Sequence, residues 1–388
     1  MGRLDQLPPY LFSAIDAARD RARDAGVDVV DLGVGDPDRP TPAWLLETMS
    51  RALQEAHHHR YPSHRGLPAL RRAAAEFVFR RDGVALDPDR QVQVLIGSKE
   101  GLAHLPFAVV EPGDAVLVPD PGYPVYTQAT ILAGAEPRPF ALRAEHAFRP
   151  DRTELQGLVD ERVRLLYLNY PNNPTGAGVD ADFWRETAAW AGERGIVLVN
   201  DGAYLEVALD GSRPASLIAS CDPGRDRVVE FHSLSKMFNM TGWRVGFAVG
   251  HPEVIARLGR VKESIDSGVF GAIQEMAALA LGEEGERLLP GVMAPYAPRR
   301  ARLVTALTAA GVEVFPTAVT FYVWARVPGG GDSLAFCARL LDEIGVVATP
   351  GVGFGSGGEG WFRMSLTAPD ERIDAAARRL AAWDAGGR

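Results

Sequence analysis

Phe231-His232-Ser233-Leu234-Ser235-Lys236-Met237-Phe238-Asn239-Met240-Thr241-Gly242-Trp243-Arg244-Val245-Gly246-Phe247 is the stretch around which the chain is organised. Lysine is scarce: of 41 Lys and Arg residues only three, Lys99, Lys236 and Lys262, are lysines. Arginine serves almost wherever a cation will do, so a surviving lysine is a candidate for work arginine cannot perform. Arginine stays protonated, whereas a desolvated lysine can lose its proton and attack a carbonyl to form a Schiff base. Lys236 sits between apolar Leu234 and Met237, with Ser233, Ser235 and Arg244 close by. An amine for an aldehyde, with hydroxyls and a guanidinium for an anionic group such as a phosphate, describes an aldehyde-cofactor site. Alone, the window reads equally well as an exposed lysine after a strand.

Outward from this stretch, short apolar runs alternate with helical patterns. Residues 92–96, 115–119, 163–168, 196–199, 228–231 and 245–249 read as buried strands. Their near-continuous apolar character suits an α/β fold with a largely parallel sheet covered on both faces. Ligands bind such sheets at the carboxyl ends of the strands. Gly97-Ser98-Lys99-Glu100 follows the first run and opens a helix, whose amide groups form an anion site. Asp120-Pro121-Gly122-Tyr123, Asn169-Tyr170-Pro171-Asn172-Asn173-Pro174-Thr175-Gly176, Asn200-Asp201-Gly202-Ala203-Tyr204 and His232-Ser233-Leu234-Ser235-Lys236 follow the next four. Five polar ends converging is far more specific than any one of them.

The flanks are read from the same signals. Residues 10–25 have helical spacing, and 27–32 are extended. In Gly33-Val34-Gly35-Asp36-Pro37-Asp38, Asp38 stands where a dinucleotide fingerprint needs glycine, and Pro37 and Pro40 forbid the helix behind it. This leaves a backbone turn that can approach a ligand closely. Thr41-Pro42 caps a helix that ends near His57-His58-His59. Three consecutive histidines do not share a helix face, so no metal site is expected. Residues 60–66 form a loop and 67–81 a second amphipathic helix. After Pro252 helical patterns run to about residue 310. The tail mixes strands at 312–315, 321–325, 346–349 and 361–366 with helices at 334–344 and 369–384, a smaller α+β unit. Residues 351–360 read as a flexible loop with no phosphate role.

Composition narrows the function classes. At 388 residues the chain can bury a large core and form two domains. A net charge of −9 gives no general attraction to nucleic acid or anionic membrane. Cys221 and Cys337 are too few and too far apart for a disulfide framework or a zinc motif. The first residues lack the apolar core of a signal peptide, and no apolar run approaches the ~20 residues of a membrane span. A cytoplasmic protein is the expectation.

Pyridoxal phosphate chemistry says what the polar cluster should contain. The cofactor withdraws electrons only when its ring nitrogen is protonated, which a carboxylate partner stabilises. Asp201 fits; it would serve equally as a turn or helix cap. Asn173 and Tyr204 fit as donors to the ring 3-oxygen, or as a turn Asn and a core Tyr. Tyr123 is available to stack on the ring. Ser98, Lys99, Ser233, Ser235 and Arg244 suit the phosphate. Singly each is ordinary; jointly they leave little room for coincidence.

Asn173-Pro174-Thr175-Gly176, Asp201-x-x-Tyr204, Ser233-x-Ser235-Lys236 and Gly242-Trp243-Arg244-Val245-Gly246 resemble the class I/II aminotransferases, fold type I pyridoxal-phosphate enzymes, and the likeness spans essentially the whole chain. The resemblance implies roles that composition could never assign. Arg363 looks like the arginine that clamps the substrate α-carboxylate, and Gly35 like the backbone contact to it. Tyr61 looks like the tyrosine that reaches the phosphate of the other subunit, which implies a homodimer with shared sites. Within the family, Pro9-Tyr10-Leu11-Phe12, Ile96-Gly97-Ser98-Lys99-Glu100-Gly101, Pro119-Asp120-Pro121-Gly122-Tyr123-Pro124-Val125-Tyr126 and Ile265-Asp266-Ser267-Gly268-Val269-Phe270 look like LL-diaminopimelate aminotransferases and their relatives, which would bring Tyr10 to the substrate. Gly202 and Met237 depart from the pattern, where alanine and threonine are expected.

The expected division is an N-terminal arm and part of the small domain over 1–45, a large cofactor-binding domain over 46–285 and a small domain over 286–388. The implied reaction moves an amino group from LL-2,6-diaminopimelate to 2-oxoglutarate, with Lys236 as the catalytic residue. The alternatives are another amino donor or a lyase or oxidase on the same scaffold. A non-enzymatic regulator's sensor domain is opposed by the lack of any basic DNA-binding extension.

Overall fold

The six apolar runs become strands of one sheet. The computed structural model describes residues 2–8 and 11–383. Its strands are β1 (Val30–Asp31), β2 (Val92–Leu95), β3 (Ala115–Asp120), β4 (Glu136–Ala141), β5 (Val163–Leu168), β6 (Val197–Asp201), β7 (Val228–Ser233), β8 (Gly246–Gly250), β9 (Tyr322–Arg326), β10 (Val346–Val347), β11 (Thr349–Pro350) and β12 (Trp361–Ser365). The large sheet has the order β2-β8-β7-β6-β5-β3-β4. Strands β3 to β7 pair in parallel, and β8 runs against both its neighbours. Reversal of β8 matters for the site: its beginning, just after Arg244, lies at the edge where the other strands end.

Alternation along the strands splits the core into two layers. Leu166, Leu168 and Leu198 join one apolar cluster. Leu165, Tyr167, Val197 and Val199 join the other, under Leu102 and Leu105 of the helix Ser98–Val109 and Leu258 of the helix Pro252–Ile265. Both faces are thus dry, which is why these strands read as unbroken apolar runs.

One strand escaped the sequence reading. β4 contains Pro137 and Pro139 and pairs only with β3. Proline cannot donate to a ladder, so this sequence suits an edge and does not read as a strand.

The chain's beginning joins its end. β1 pairs in parallel with β10, and β11, β12 and β9 form an antiparallel sheet. The expected strand at 346–349 is divided between these two sheets, and the one at 312–315 is reduced to a bridge from Val314 to Ala325.

Three further expectations are corrected. Thr41 does not cap the helix Ala43–Ala52, whose first turn has no side-chain cap. Its hydroxyl instead donates to Asn239 O and accepts from Trp243 Nε1, both at 2.9 Å, which ties this segment to the stretch around Lys236. The helix stops at Ala52, and the histidines occupy a separate 3-10 turn, Ala56–His59. That tighter turn brings the rings of His57 and His58 within 3.9 Å, with His58 Nε2 2.9 Å from Glu275 Oε1, so the helix-face argument does not apply to them. Residues 351–360 are not a featureless loop. They form two 3-10 turns held to β3, Asp120 accepting from Ser356 Oγ at 2.7 Å and Gly357 N at 2.8 Å. Among the described residues no helix is long and apolar enough to cross a membrane.

Candidate active site

The ends of β2, β3, β6 and β7 and the start of β8 open on one cavity of about 300 Å³. Gly35, Ser98, Lys99, Tyr123, Asn173, Asp201, Tyr204, Ser233, Ser235, Lys236, Arg244 and Arg363 all line it. Tyr61 does not; it is 94% exposed. Tyr10 lies outside the described residues.

One end of the cavity is built for an anion. Ser98 opens a 12-residue helix, and Ser233 caps the short helix Leu234–Met237, its hydroxyl accepting from Ser235 N at 3.3 Å. Free amide groups at such starts carry partial positive charge. Arg244 crosses between them, donating to Thr241 O at 2.8 Å with Ser235 Oγ 3.5 Å away. Gly97 makes this possible. Its φ is 71°, and a Cβ there would fall on Arg244 Nη2. Lys99 lies with its ammonium 5.8 Å from the ring centroid of Tyr123.

Asp201 occupies the middle, 5% exposed at the end of β6. Tyr126 donates to its Oδ2 at 2.8 Å, and Asn169 Nδ2 donates to its main-chain oxygen at 2.5 Å. Oδ1 has no hydrogen-bond partner among the described residues. Burial pushes the carboxyl up to about 6, against the opposing hydrogen bond from Tyr126. A buried acceptor left unpaired is costly unless a donor arrives. A protonated ring nitrogen is such a donor, and it would restore the ionised form.

Lys236 Nζ donates to Gly35 O at 2.8 Å. Burial lowers its pKa; Tyr322 and Asp36 oppose this, and the cations Arg363 and Arg244 add to it. The amine is therefore moved toward the neutral, nucleophilic form.

Arg363 closes the far side from β12. Its Nη1 donates to Asn173 Oδ1 at 2.7 Å and Nη2 to Gly33 O at 2.8 Å. Its guanidinium lies over Tyr322 at 4.1 Å and Phe354 at 4.7 Å, so its plane is fixed. The Tyr322 hydroxyl is 2.9 Å from that of Tyr204, and it fills the space a side chain at residue 35 would need. The turn carrying Gly35 is anchored by Arg299, 1% exposed, which grips Asp38 with both terminal nitrogens at 2.7 and 3.0 Å.

Sequence reasoning missed Tyr126, Asn169, Tyr322 and Phe354. The first two stand inside stretches already singled out, and spacing alone does not say that they meet Asp201. Tyr322 and Phe354 come from the tail, where nothing local marks them. Gly202 and Met237 do not themselves line the cavity, although each is bonded to residues that do. A Cβ at Gly202 would lie 2.5 Å from Leu205 Cδ1 and 3.1 Å from Phe231 O, so Leu205 takes the room an alanine would use. Met237 is buried in the core.

An open α/β sheet whose strand ends assemble a lysine amine, an unpaired carboxylate and an anion cup defines a fold type I aminotransferase. Residues 27–380 match the aminotransferase class I and II family, and the chain belongs to it; these are pyridoxal-phosphate-dependent transaminases. It is 46% identical over 381 residues to the LL-diaminopimelate aminotransferase of Aquifex aeolicus, covering 97% of each chain. It is likewise 46% identical over 386 residues to LL-diaminopimelate aminotransferase 2 of Trichormus variabilis, covering 99% of this chain and 98% of that one. Among solved structures, substrate-bound BacF of Bacillus subtilis superposes with a TM-score of 0.91 at 33% identity, covering 98% of this chain and 97% of that one.

Proposed function

We propose that this aminotransferase moves the amino group of LL-2,6-diaminopimelate to 2-oxoglutarate, giving glutamate and tetrahydrodipicolinate. The observation that carries the chemistry is the unpaired Oδ1 of Asp201 in the same cavity as the deprotonation-prone Lys236. The donor is supported by the near-full-length likeness to relatives named for it.

When bound, pyridoxal phosphate supplies an electron sink that acidifies the substrate Cα proton. In this reading Ser98, Lys99, Ser233, Ser235 and Arg244 hold its phosphate, Tyr123 covers its ring, and Asn173 and Tyr204 donate to its 3-oxygen. Asp201 Oδ1, without a partner among the described residues, would accept from its ring nitrogen. Lys236 would hold its aldehyde and would serve as the base for the substrate Cα proton. Arg363 fixes the substrate α-carboxylate with a planar fork, Gly35 adds its backbone, and Tyr10 contacts the substrate.

The same reading assigns a large domain over 46–285 and a small one over 286–388, to which 1–45 contributes an arm; β1 pairing with β10 supports it. It assigns a homodimer, supported by a tyrosine, Tyr61, left 94% exposed on the surface of its own chain. It assigns the cytoplasm, where unpaired Cys221 and Cys337 suit a reducing compartment.

A panel of amino donors with 2-oxoglutarate, read as glutamate formed, tests it. LL-diaminopimelate should give the highest kcat/KM. A higher value for aspartate, alanine or an aromatic donor would reassign the substrate. Donor consumed without an acceptor would reassign the enzyme as a lyase or oxidase.

A further inference from the structure

Asp201 has two oxygens and only one is free to meet a ligand. Oδ2 accepts from Tyr126 at 2.8 Å, and Oδ1 has no partner among the described residues. Tyr126 is itself held rigidly. It is 1% exposed in the helix Val125–Ala133, its ring stacked on Tyr167 at 4.9 Å and 20° and met edge-on by Tyr123 at 6.0 Å. Tyr167 spends its own hydroxyl on Leu102 O at 2.7 Å, so it does not compete for the carboxylate. The titratable groups facing Asp201 are therefore Tyr126 and Tyr167 on one side and Tyr204 and Lys236 on the other. Of these, Tyr126 alone donates a hydrogen bond to its side chain.

We propose that Tyr126 is a positioning residue for the reaction: its hydroxyl fixes Asp201 so that Oδ1 faces the cofactor ring nitrogen, and its hydrogen bond holds that carboxylate in the charged form. Burial works the other way and is only partly offset: with Tyr126 as the largest opposing influence, the Asp201 carboxyl still stands raised to about 6. Tyr126 can keep donating because burial raises its own pKa well above the ordinary tyrosine value. Without that donor, the carboxylate loses its one side-chain hydrogen bond among the described residues, and only the Ala203 backbone and the charge of Lys236 still oppose its desolvation. A neutral acid cannot keep a ring nitrogen protonated.

The test is the affinity of the apoenzyme for pyridoxal phosphate as a function of pH. Tyr126→Phe keeps the stacked ring and removes the donor. Affinity at neutral pH should fall by about ten- to a hundredfold, the worth of one hydrogen bond to a charged group. The pH below which affinity is lost should move upward, because the charged form has lost a stabilising partner. In an Asp201→Asn background, Tyr126→Phe should change neither quantity. An unchanged affinity and midpoint would overturn the proposal and leave Tyr126 as a packing residue. So would an equal loss in the Asp201→Asn background. Should Tyr126→Phe fail to fold, 3-fluorotyrosine placed at position 126 decides. This stronger donor of nearly the same shape should move the acid midpoint downward, and an unmoved midpoint would overturn the proposal.

Discussion

Single side chains carry the chemistry here through their surroundings. Asp201 is the clearest case. Its folded-state pKa is raised to about 6, above the ordinary value of 3.8. The folded apoenzyme thus binds this proton more tightly than the unfolded chain, and the associated stability is lost as pH rises from about 4 through about 6. Asp201→Asn should therefore stabilise the apoenzyme above that window by roughly 2–3 kcal/mol, and flatten its pH dependence, while crippling turnover. Denaturant unfolding of both apoenzymes at several pH values checks this; equal stabilities at neutral pH would contradict it. Arg363 is a second case. A planar fork pinned between Tyr322 and Phe354 cannot be copied by a lysine. Arg363→Lys should lower kcat/KM for every donor by a similar factor, about ten- to a hundredfold. A drop in melting temperature with unchanged kcat/KM would instead make Arg363 a structural residue, holding Asn173 and Gly33. Lys236 was legible in the sequence because lysine is so rare in it. Tyr322 was not, because its value lies wholly in what it touches: Tyr204, Arg363 and the backbone at Gly35.

At the scale of elements, the large sheet was legible because burial on both faces writes long apolar runs. β4 was not, because an edge strand tolerates the prolines that forbid a central one. The turns at 351–360 were read as a flexible loop because glycine-rich sequence signals only permission to bend. Their order comes from Asp120, a residue more than two hundred positions away. The anion cup depends on how β2 passes into its helix. Gly97→Ala would put a methyl group against Arg244 in a backbone conformation, φ 71° and ψ 156°, that is essentially confined to glycine, at a strain of about 1–3 kcal/mol before the guanidinium is displaced. Pyridoxal phosphate affinity should fall by about tenfold or more, and inorganic phosphate should compete less well. Wild-type affinity in a folded Gly97→Ala protein would show that Arg244 does not need that path.

For the whole molecule, the site joins two sheets and, in our proposal, two subunits. Tyr61 lies on the surface of its own chain, so its part in the site requires a partner. Inactive Lys236→Ala and inactive Tyr61→Ala chains, mixed under conditions of subunit exchange, should regain part of the activity; a fully active monomer would refute the shared site. Substrate choice was the least legible property, since the cavity is lined by residues from strand ends and turns that meet only on folding. The most direct measurement follows the amino nitrogen itself. LL-2,6-diaminopimelate carrying an isotopic label on that nitrogen is incubated with 2-oxoglutarate and either the wild-type enzyme or folded Lys236→Ala. The expected result is label in glutamate, matching the donor consumed, with the wild type and virtually none with Lys236→Ala. Label released as ammonia, or transfer undiminished without Lys236, would contradict it.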